Sequence, residues 1–353
     1  MQFNSAIPGP DLANRLCGCI YEASARAGRN LCCFQGVSRK SEILYVIFGA
    51  LVTVKLTKNK PLAQYTTIGV GGAAEYFCQP CNLRELLEAL SYAKAHDLPV
   101  VWLGGGSNIL IHDRGISGLV LRLANRASNL VVKGDLVIAE AGSLLFELVK
   151  HACKGGFLDL SFCAGIPGTC GGAVYMNAGT SNGEISQKIA WVELLDPATG
   201  SLKVRSSQEM GFGYRTSILQ QEPGIVTRVA FYCEEGDGKL WWEKARAQIA
   251  RRKKLQPQRV RTAGSFFRNP PEQVAGVLIE RAGLKGARIG DALVSTIHGN
   301  FLVNAGQASS DHFIQLIRLV RRSVFEKFGV RLELEVSLLG FSEKERGDVQ
   351  LIL

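Results

Sequence analysis

The sequence predicts an α+β fold that opens with an α/β unit, and three features predict it. Residues 74–108 read as strand, helix, strand and glycine loop, which places the loop at the C-terminal end of a strand. A basic helix over Leu240 to Lys254 stops at Gln256-Pro257, a candidate domain boundary. A long amphipathic helix over residues 310–328, closed by Gly329, leads into a strand that alternates strictly between apolar and polar residues.

Each element has a local reason. Residues 1 to about 56 lack a sustained period and hold paired cysteines, then the apolar run Ile43 to Val54. Twelve residues fall short of the roughly 20 that span a bilayer, so this run reads as an extension outside the folded domain or a weak anchor. Ala74 to Gln79 is the first clear strand. Asn82 and Glu85 form an Asn-x-x-Glu start signal, and Leu83, Leu86, Leu87 and Leu90 follow at helical spacing until Asp97-Leu98-Pro99. Val100 to Leu103 is a buried-strand run. Leu136 to Ala139 reads as a strand, and Ser143 as the cap of a helix that stops at Gly155-Gly156. Trp191 to Leu195 and Ile225 to Cys233 read as further strands. Pro271 is expected to open a helix through Arg281. In the last strand Leu332, Leu334, Val336 and Leu338 share one face, and Arg331, Glu333, Glu335 and Ser337 the other.

Composition narrows the class without choosing a function. At 353 residues, 46% hydrophobic and 20% charged, the chain suits a globular protein of two or three domains. The net charge of +10 favours anionic partners of any kind. Residues 1–60 hold eight Lys/Arg against three Asp/Glu, a surplus of five, which is half of the net charge. No aromatic-interleaved basic surface follows it, which argues against a nucleic-acid binder. The ten cysteines are scattered and no secretory signal is recognisable, so reduced thiols in the cytoplasm are expected. Cys78-Gln-Pro-Cys81 lacks a second ligand pair, and no metal site is expected.

Chemistry concentrates in the loops. Gly165-Ile166-Pro167-Gly168-Thr169-Cys170-Gly171-Gly172, running on to Asn177 and Gly179, is dense in glycine beside an apolar run. Glycine admits close approach of the backbone, so successive amides can converge on an anion. Gly104-Gly105-Gly106-Ser107-Asn108 is a second such loop, and two loops can hold the two phosphates of one dinucleotide. Gly69-Val70-Gly71-Gly72 lacks the strand–helix setting of a Rossmann fingerprint and reads as a plain turn. Arg215 sits in a glycine- and aromatic-rich turn, where it is either a carboxylate or phosphate ligand or a surface ion pair. Ser265, between a glycine and two phenylalanines, reads locally as a packed turn residue, since no hydrolase motif surrounds it. Glu335 reads as solvated. The cluster Arg251-Arg252-Lys253-Lys254 reads as a solvated helix end or an attractor for a diphosphate.

In this order the motifs resemble the UDP-N-acetylenolpyruvoylglucosamine reductase family, from about Pro61 to Gly340. The carriers are Tyr65 to Gly72, Leu103 to Asn108, Gly165 to Gly179, Gly213-Tyr214-Arg215-Thr216-Ser217, Ala263 to Pro270 and Leu332 to Val336. The first two-thirds also look like FAD-binding domains of the p-cresol methylhydroxylase type. The resemblance implies an extension (1–56), an FAD-binding domain of two α/β subdomains (57–237, split near 124), a helical connector (238–256) and a C-terminal α+β substrate domain (257–353). It implies non-covalent FAD held by Gly104, Gly105, Gly106, Ser107, Asn108, Ile109, Ile166, Pro167, Gly168, Thr169, Gly172, Asn177 and Gly179. Arg215, Ser265 and Glu335 are the implied catalytic residues, and Tyr214, Lys254, Asn269, His298 and Asn300 the implied substrate contacts. NADPH is the implied hydride donor, the enolpyruvyl ether of UDP-N-acetylglucosamine the implied substrate, and a cytoplasmic monomer the expected state. The chain between Pro271 and Leu278 is short, as in the subtype without a tyrosine-bearing insertion. Another FAD enzyme, acting on an alcohol or hydroxy acid, is the alternative reading.

Overall fold

The structure, a computed structural model, describes residues 45–47, 50–52, 54–123 and 130–351. The chain divides into two units, Met1–Thr53 and Val54–Leu353. In the first, Tyr45–Ile47 pairs antiparallel with Ala50–Val52, Tyr45 opposite Val52. The described part of the apolar run is therefore a strand pair. The reading of residues 1–56 as an extension falls mostly outside the described residues. No described helix is long and apolar enough to cross a membrane.

The second unit carries three principal sheets. The first runs in the order Thr57–Pro61, Ala73–Cys78, Ile116–Arg122, Val100–Leu103, and its last two pairings are parallel. A parallel sheet needs crossover connections. The helix Leu83–Ala95 provides one, with Asn82 Oδ1 accepting from Glu85 N at 2.9 Å as the start signal requires. The second sheet is antiparallel, in the order Leu202–Ser206, Ile189–Leu195, Ile225–Tyr232, Leu136–Glu140, Leu130–Lys133. The helix Leu145–Gly155 buries Leu145, Leu148, Val149 and Ala152 in one core with Val137, Val229 and Phe231.

Ser143 does not cap that helix. Leu144 occupies the cap position, and Leu145 N donates instead to the carbonyl of Gly168 at 3.0 Å. The glycine-rich loop thus takes over the capping role, and the buried Ser143 hydroxyl has no hydrogen-bond partner.

The third sheet runs Arg261–Ser265, Phe301–Asn304, Ala292–Val294, Arg288–Ile289. The helix Ser310–Phe328 covers it, burying Phe313, Leu316, Ile317, Val320 and Val324 with Phe266, Phe267 and Leu302. The helix expected from Pro271 begins only at Ala275. Glu272 has a left-handed backbone (φ +58°), and Asn269 Oδ1 accepts from Ala275 N at 3.0 Å, so the intervening residues form a turn. The last strand is also shorter than the alternation suggests. Only Ser337–Leu339 forms a ladder, parallel to Ile109–Ile111. Upstream, the chain changes partner residue by residue: Arg268 N donates to Glu333 O, Phe267 bridges Leu334, and Glu335 N donates to Phe266 O.

Candidate active site

The two glycine loops meet. Ser107 Oγ donates to Pro167 O at 3.1 Å, and a Cβ on Gly105 would lie 2.7 Å from Gly168 Cα. A Cβ on Gly104 would lie 2.8 Å from Thr169 Oγ1. The first of these two glycines lies against backbone and the second against a side-chain oxygen, and neither leaves room for a Cβ. Thr169 Oγ1 in turn accepts from Gly172 N, capping the short helix Cys170–Tyr175. Both loops line a cavity of about 760 Å³, together with the apolar Val101, Trp102, Leu121, Leu123 and Val226 and the polar Arg215, Ser265 and Glu335. Apolar side chains, glycine backbone and a few polar groups around one cavity suit a dinucleotide such as FAD.

Ser265 is aimed by a bulge. Its strand pairs with Phe301–Asn304 in regular register at Arg261 and Thr262, then shifts before Ser265. Gly264, at φ +81°, absorbs the extra residue and re-aims the serine toward the cavity. Phe266 and Phe267, fully buried, anchor the far side. Asn300 holds this turn with both ends of its amide: Oδ1 accepts from Phe267 N at 2.9 Å and Nδ2 donates to Phe267 O at 2.8 Å.

Glu335 reaches the same place from the C-terminal segment. Its backbone N–H donates to Phe266 O, and Asn108 Nδ2 donates to its carbonyl at 2.9 Å. The first glycine loop therefore fixes the carboxylate's backbone. Arg215 Nε donates to Glu335 Oε1 at 3.1 Å and Arg215 Nη2 to Gly179 O at 2.9 Å, while the Tyr214 ring covers the guanidinium at 5.0 Å. Both side chains of the ion pair are largely buried, 18% and 16% exposed. Burial raises the Glu335 pKa above its ordinary value, opposed by Arg215 and then Arg268.

Several expected contacts stand elsewhere. Asn177 does not line the cavity. It is fully buried, with Nδ2 donating to Glu184 Oε2 and Gly213 O and Oδ1 accepting from Ser186 N, so it braces loops rather than a ligand. Asn300 is likewise spent on Phe267. Tyr214 and Lys254 are exposed and Asn269 caps Ala275; none of them lines the cavity. His298 also stands outside it, packing edge-on to Phe301 at 4.8 Å, with its pKa lowered first by burial and then by Lys285. Asn108 does line the cavity, but its Nδ2 serves Glu335. Every other loop residue expected to hold the cofactor lines it: Gly104, Gly105, Gly106, Ser107, Ile109, Ile166, Pro167, Gly168, Thr169, Gly172 and Gly179.

Of the basic cluster Arg251-Arg252-Lys253-Lys254, only Arg252 reaches the site, which its reading as a group does not reveal. It lines the cavity, its Nε is buried without a partner, and burial followed by Arg215 lowers its pKa. Its stem runs beneath Gly165, whose Cβ would lie 3.1 Å from Arg252 Cδ. The helix period contained the signal. Ala245, Ile249 and Arg252 fall at i, i+4 and i+7, the inward stripe of the helix Gly238–Leu255. Of the neighbouring cations, Arg251, Lys253 and Lys254 are exposed.

A family model described as an FAD binding domain matches residues 74–205. Together with the loops and cavity, that defines the class: an FAD-dependent oxidoreductase. Residues 256–339 match the model described as UDP-N-acetylenolpyruvoylglucosamine reductase, C-terminal domain. A UDP-N-acetylenolpyruvoylglucosamine reductase of Rubrobacter xylanophilus is 40% identical over 283 residues, 80% of this chain and 94% of the relative. One from Synechococcus is 40% identical over 292 residues, 82% and 93% of the two chains. The crystal structure of the Thermus caldophilus reductase superposes with a TM-score of 0.68 at 39% identity, covering 81% of this chain and 98% of that one. The chain belongs to the UDP-N-acetylenolpyruvoylglucosamine reductase family.

Proposed function

We propose that this chain reduces the enolpyruvyl ether of UDP-N-acetylglucosamine to UDP-N-acetylmuramate with NADPH, in the cytoplasm, as a step of peptidoglycan precursor synthesis. The observation that carries the reading is the buried Arg215–Glu335 pair, which lines the same cavity as Ser265 and the two glycine loops. On this reading residues 57–237 hold FAD, 238–256 connect, and 257–353 receive the substrate.

The two glycine loops hold FAD, and FAD when bound carries hydride between NADPH and the substrate. Arg215 binds the substrate carboxylate. A guanidinium has five N–H donors, and the bonds to Glu335 and Gly179 leave donors over for a carboxylate. As the enolpyruvyl C3 receives hydride, charge gathers on that carboxylate, and a pre-aimed cation in a water-poor site stabilises it by about 3 kcal/mol. Ser265 Oγ–H then gives its proton to C2. Serine is a weak acid, but the enolate carbon is a strong base, and Arg215 and Arg252 in the same cavity favour the alkoxide left behind. Arg252 adds a second cation, which pairs with no carboxylate among the described residues.

Glu335 makes substrate binding pH-dependent. Its raised pKa favours the neutral acid in the fold, so its contribution to stability is present below the ordinary value of 4.5 and is lost as pH rises through the raised value. A neutral Glu335 donates to the substrate carboxylate, whereas an ionised one repels it. KM for the enolpyruvyl nucleotide is therefore expected to rise with pH above the Glu335 pKa, and Glu335→Gln to flatten that rise. A steady-state pH profile of both proteins checks this.

The activity itself is tested by NADPH oxidation on addition of the enolpyruvyl nucleotide, with a product two hydrogens heavier by mass spectrometry. Indifference to that nucleotide, with oxidation of a simple alcohol or hydroxy acid by oxygen, would support the alternative FAD enzyme.

A further inference from the structure

Arg215 occupies a backbone conformation that an arginine has no local reason to adopt. Gly213 and Thr216 exchange backbone hydrogen bonds at 3.2 and 3.1 Å, so Tyr214 and Arg215 are the central residues of a tight turn. Arg215 has φ +55°, a left-handed value that such turns normally give to glycine or asparagine. Other contacts must hold it there.

The contacts converge on one atom. The Arg215 carbonyl oxygen accepts from Gln220 Nε2 at 3.0 Å and from Arg268 Nη2 at 3.3 Å. Arg268 Nη2 also donates to Gln220 Oε1 at 3.4 Å, closing a ring of three groups around that carbonyl. Gln220 Nε2 reaches Tyr175 O at 3.3 Å, on the glycine-loop side. Arg268 belongs to the other segment, its backbone N–H on Glu333 O, two residues before Glu335. Neither Gln220 nor Arg268 lines the cavity.

We propose that Gln220 and Arg268 are positioning residues, a clasp on the Arg215 carbonyl that aims the guanidinium at Glu335 and at the substrate carboxylate. This rests on the role given to Arg215 above. The clasp ties the turn both to the loop that holds the cofactor and to the segment that carries Glu335. A charged group misplaced by about 1 Å can cost on the order of 100-fold in rate, so residues that touch no ligand can govern the reaction.

The test is anaerobic single-turnover kinetics of the FAD-loaded protein, following reduction by NADPH and reduction of the enolpyruvyl nucleotide separately. Gln220→Leu and Arg268→Met are each expected to slow the second reaction about tenfold and to leave the first unchanged. The double variant should also lose about tenfold rather than 100-fold, because both groups act on one oxygen. Arg268→Lys, which keeps a donor, should recover most of the rate. A slackened Arg215 also opposes the raised Glu335 pKa less, so the pH at which substrate affinity falls should move upward in Gln220→Leu.

An unchanged second reaction in Gln220→Leu overturns the clasp, as does equal slowing of both reactions in step with a lowered melting temperature. If Arg268→Met fails to fold, Gln220→Leu with its pH profile decides alone. Arg215→Met separates the two levels. Should it leave substrate reduction intact, the role of Arg215 falls and the clasp with it. Should it slow reduction while Gln220→Leu does not, only the clasp falls.

Discussion

Ser265→Ala is expected to lose reduction of the enolpyruvyl nucleotide by roughly 10²–10⁴-fold, the usual span for a removed general acid. NADPH should still bleach the bound FAD at the normal rate. The substitution removes one oxygen from a strand end whose geometry is set by the Gly264 bulge, by buried Phe266 and Phe267, and by the Asn300 clamp. None of those depends on the hydroxyl, so the fold should persist. Stopped-flow measurement of the two half-reactions checks it. Equal impairment of both would show that Ser265 serves the cavity's shape rather than the proton.

Gly105→Ala is expected to give a folded protein that has lost most of its FAD. Gly105 is not in the left-handed region, so the new methyl brings no backbone strain of its own. What it meets is backbone, Gly168 Cα at 2.7 Å and Gly168 C at 3.2 Å, which has no rotamer to yield. Relief requires the two glycine loops to separate, and the floor of the cavity opens. Gly106→Ala should be worse. It combines φ +66° with a Cβ 1.9 Å from Tyr65 O, and is expected to impair folding itself. Visible absorbance per polypeptide, with circular dichroism for the fold, distinguishes the two outcomes. A fully yellow Gly105→Ala protein would contradict the two-loop account.

The glycine loops were legible because their signal is local: close backbone approach demands glycine wherever the partner loop lies. The strand, helix and strand of residues 73–103 were legible for the same reason, since period and capping chemistry are written within a few positions. At Asn177 and Asn300 the sequence cannot separate two roles, because an asparagine amide serves a ligand and a backbone equally well. Their partners, Gly213 and Phe267, lie 36 and 33 positions away. Alternation puts Glu335 on the polar face of its segment, where it reads as solvated. That face meets Arg215, 120 positions upstream, rather than water, which alternation alone cannot reveal. Arg252 was readable from the helix period but hidden among cations that are solvated.

The central claim is that one cavity holds FAD over Ser265, Arg215 and Glu335 and uses it to reduce the enolpyruvyl nucleotide. An anaerobic titration of the purified protein tests it most directly. NADPH should bleach a visible flavin band, and one equivalent of the enolpyruvyl nucleotide should restore it with formation of UDP-N-acetylmuramate. A colourless protein, or a bleached flavin that the nucleotide leaves bleached, would contradict the claim.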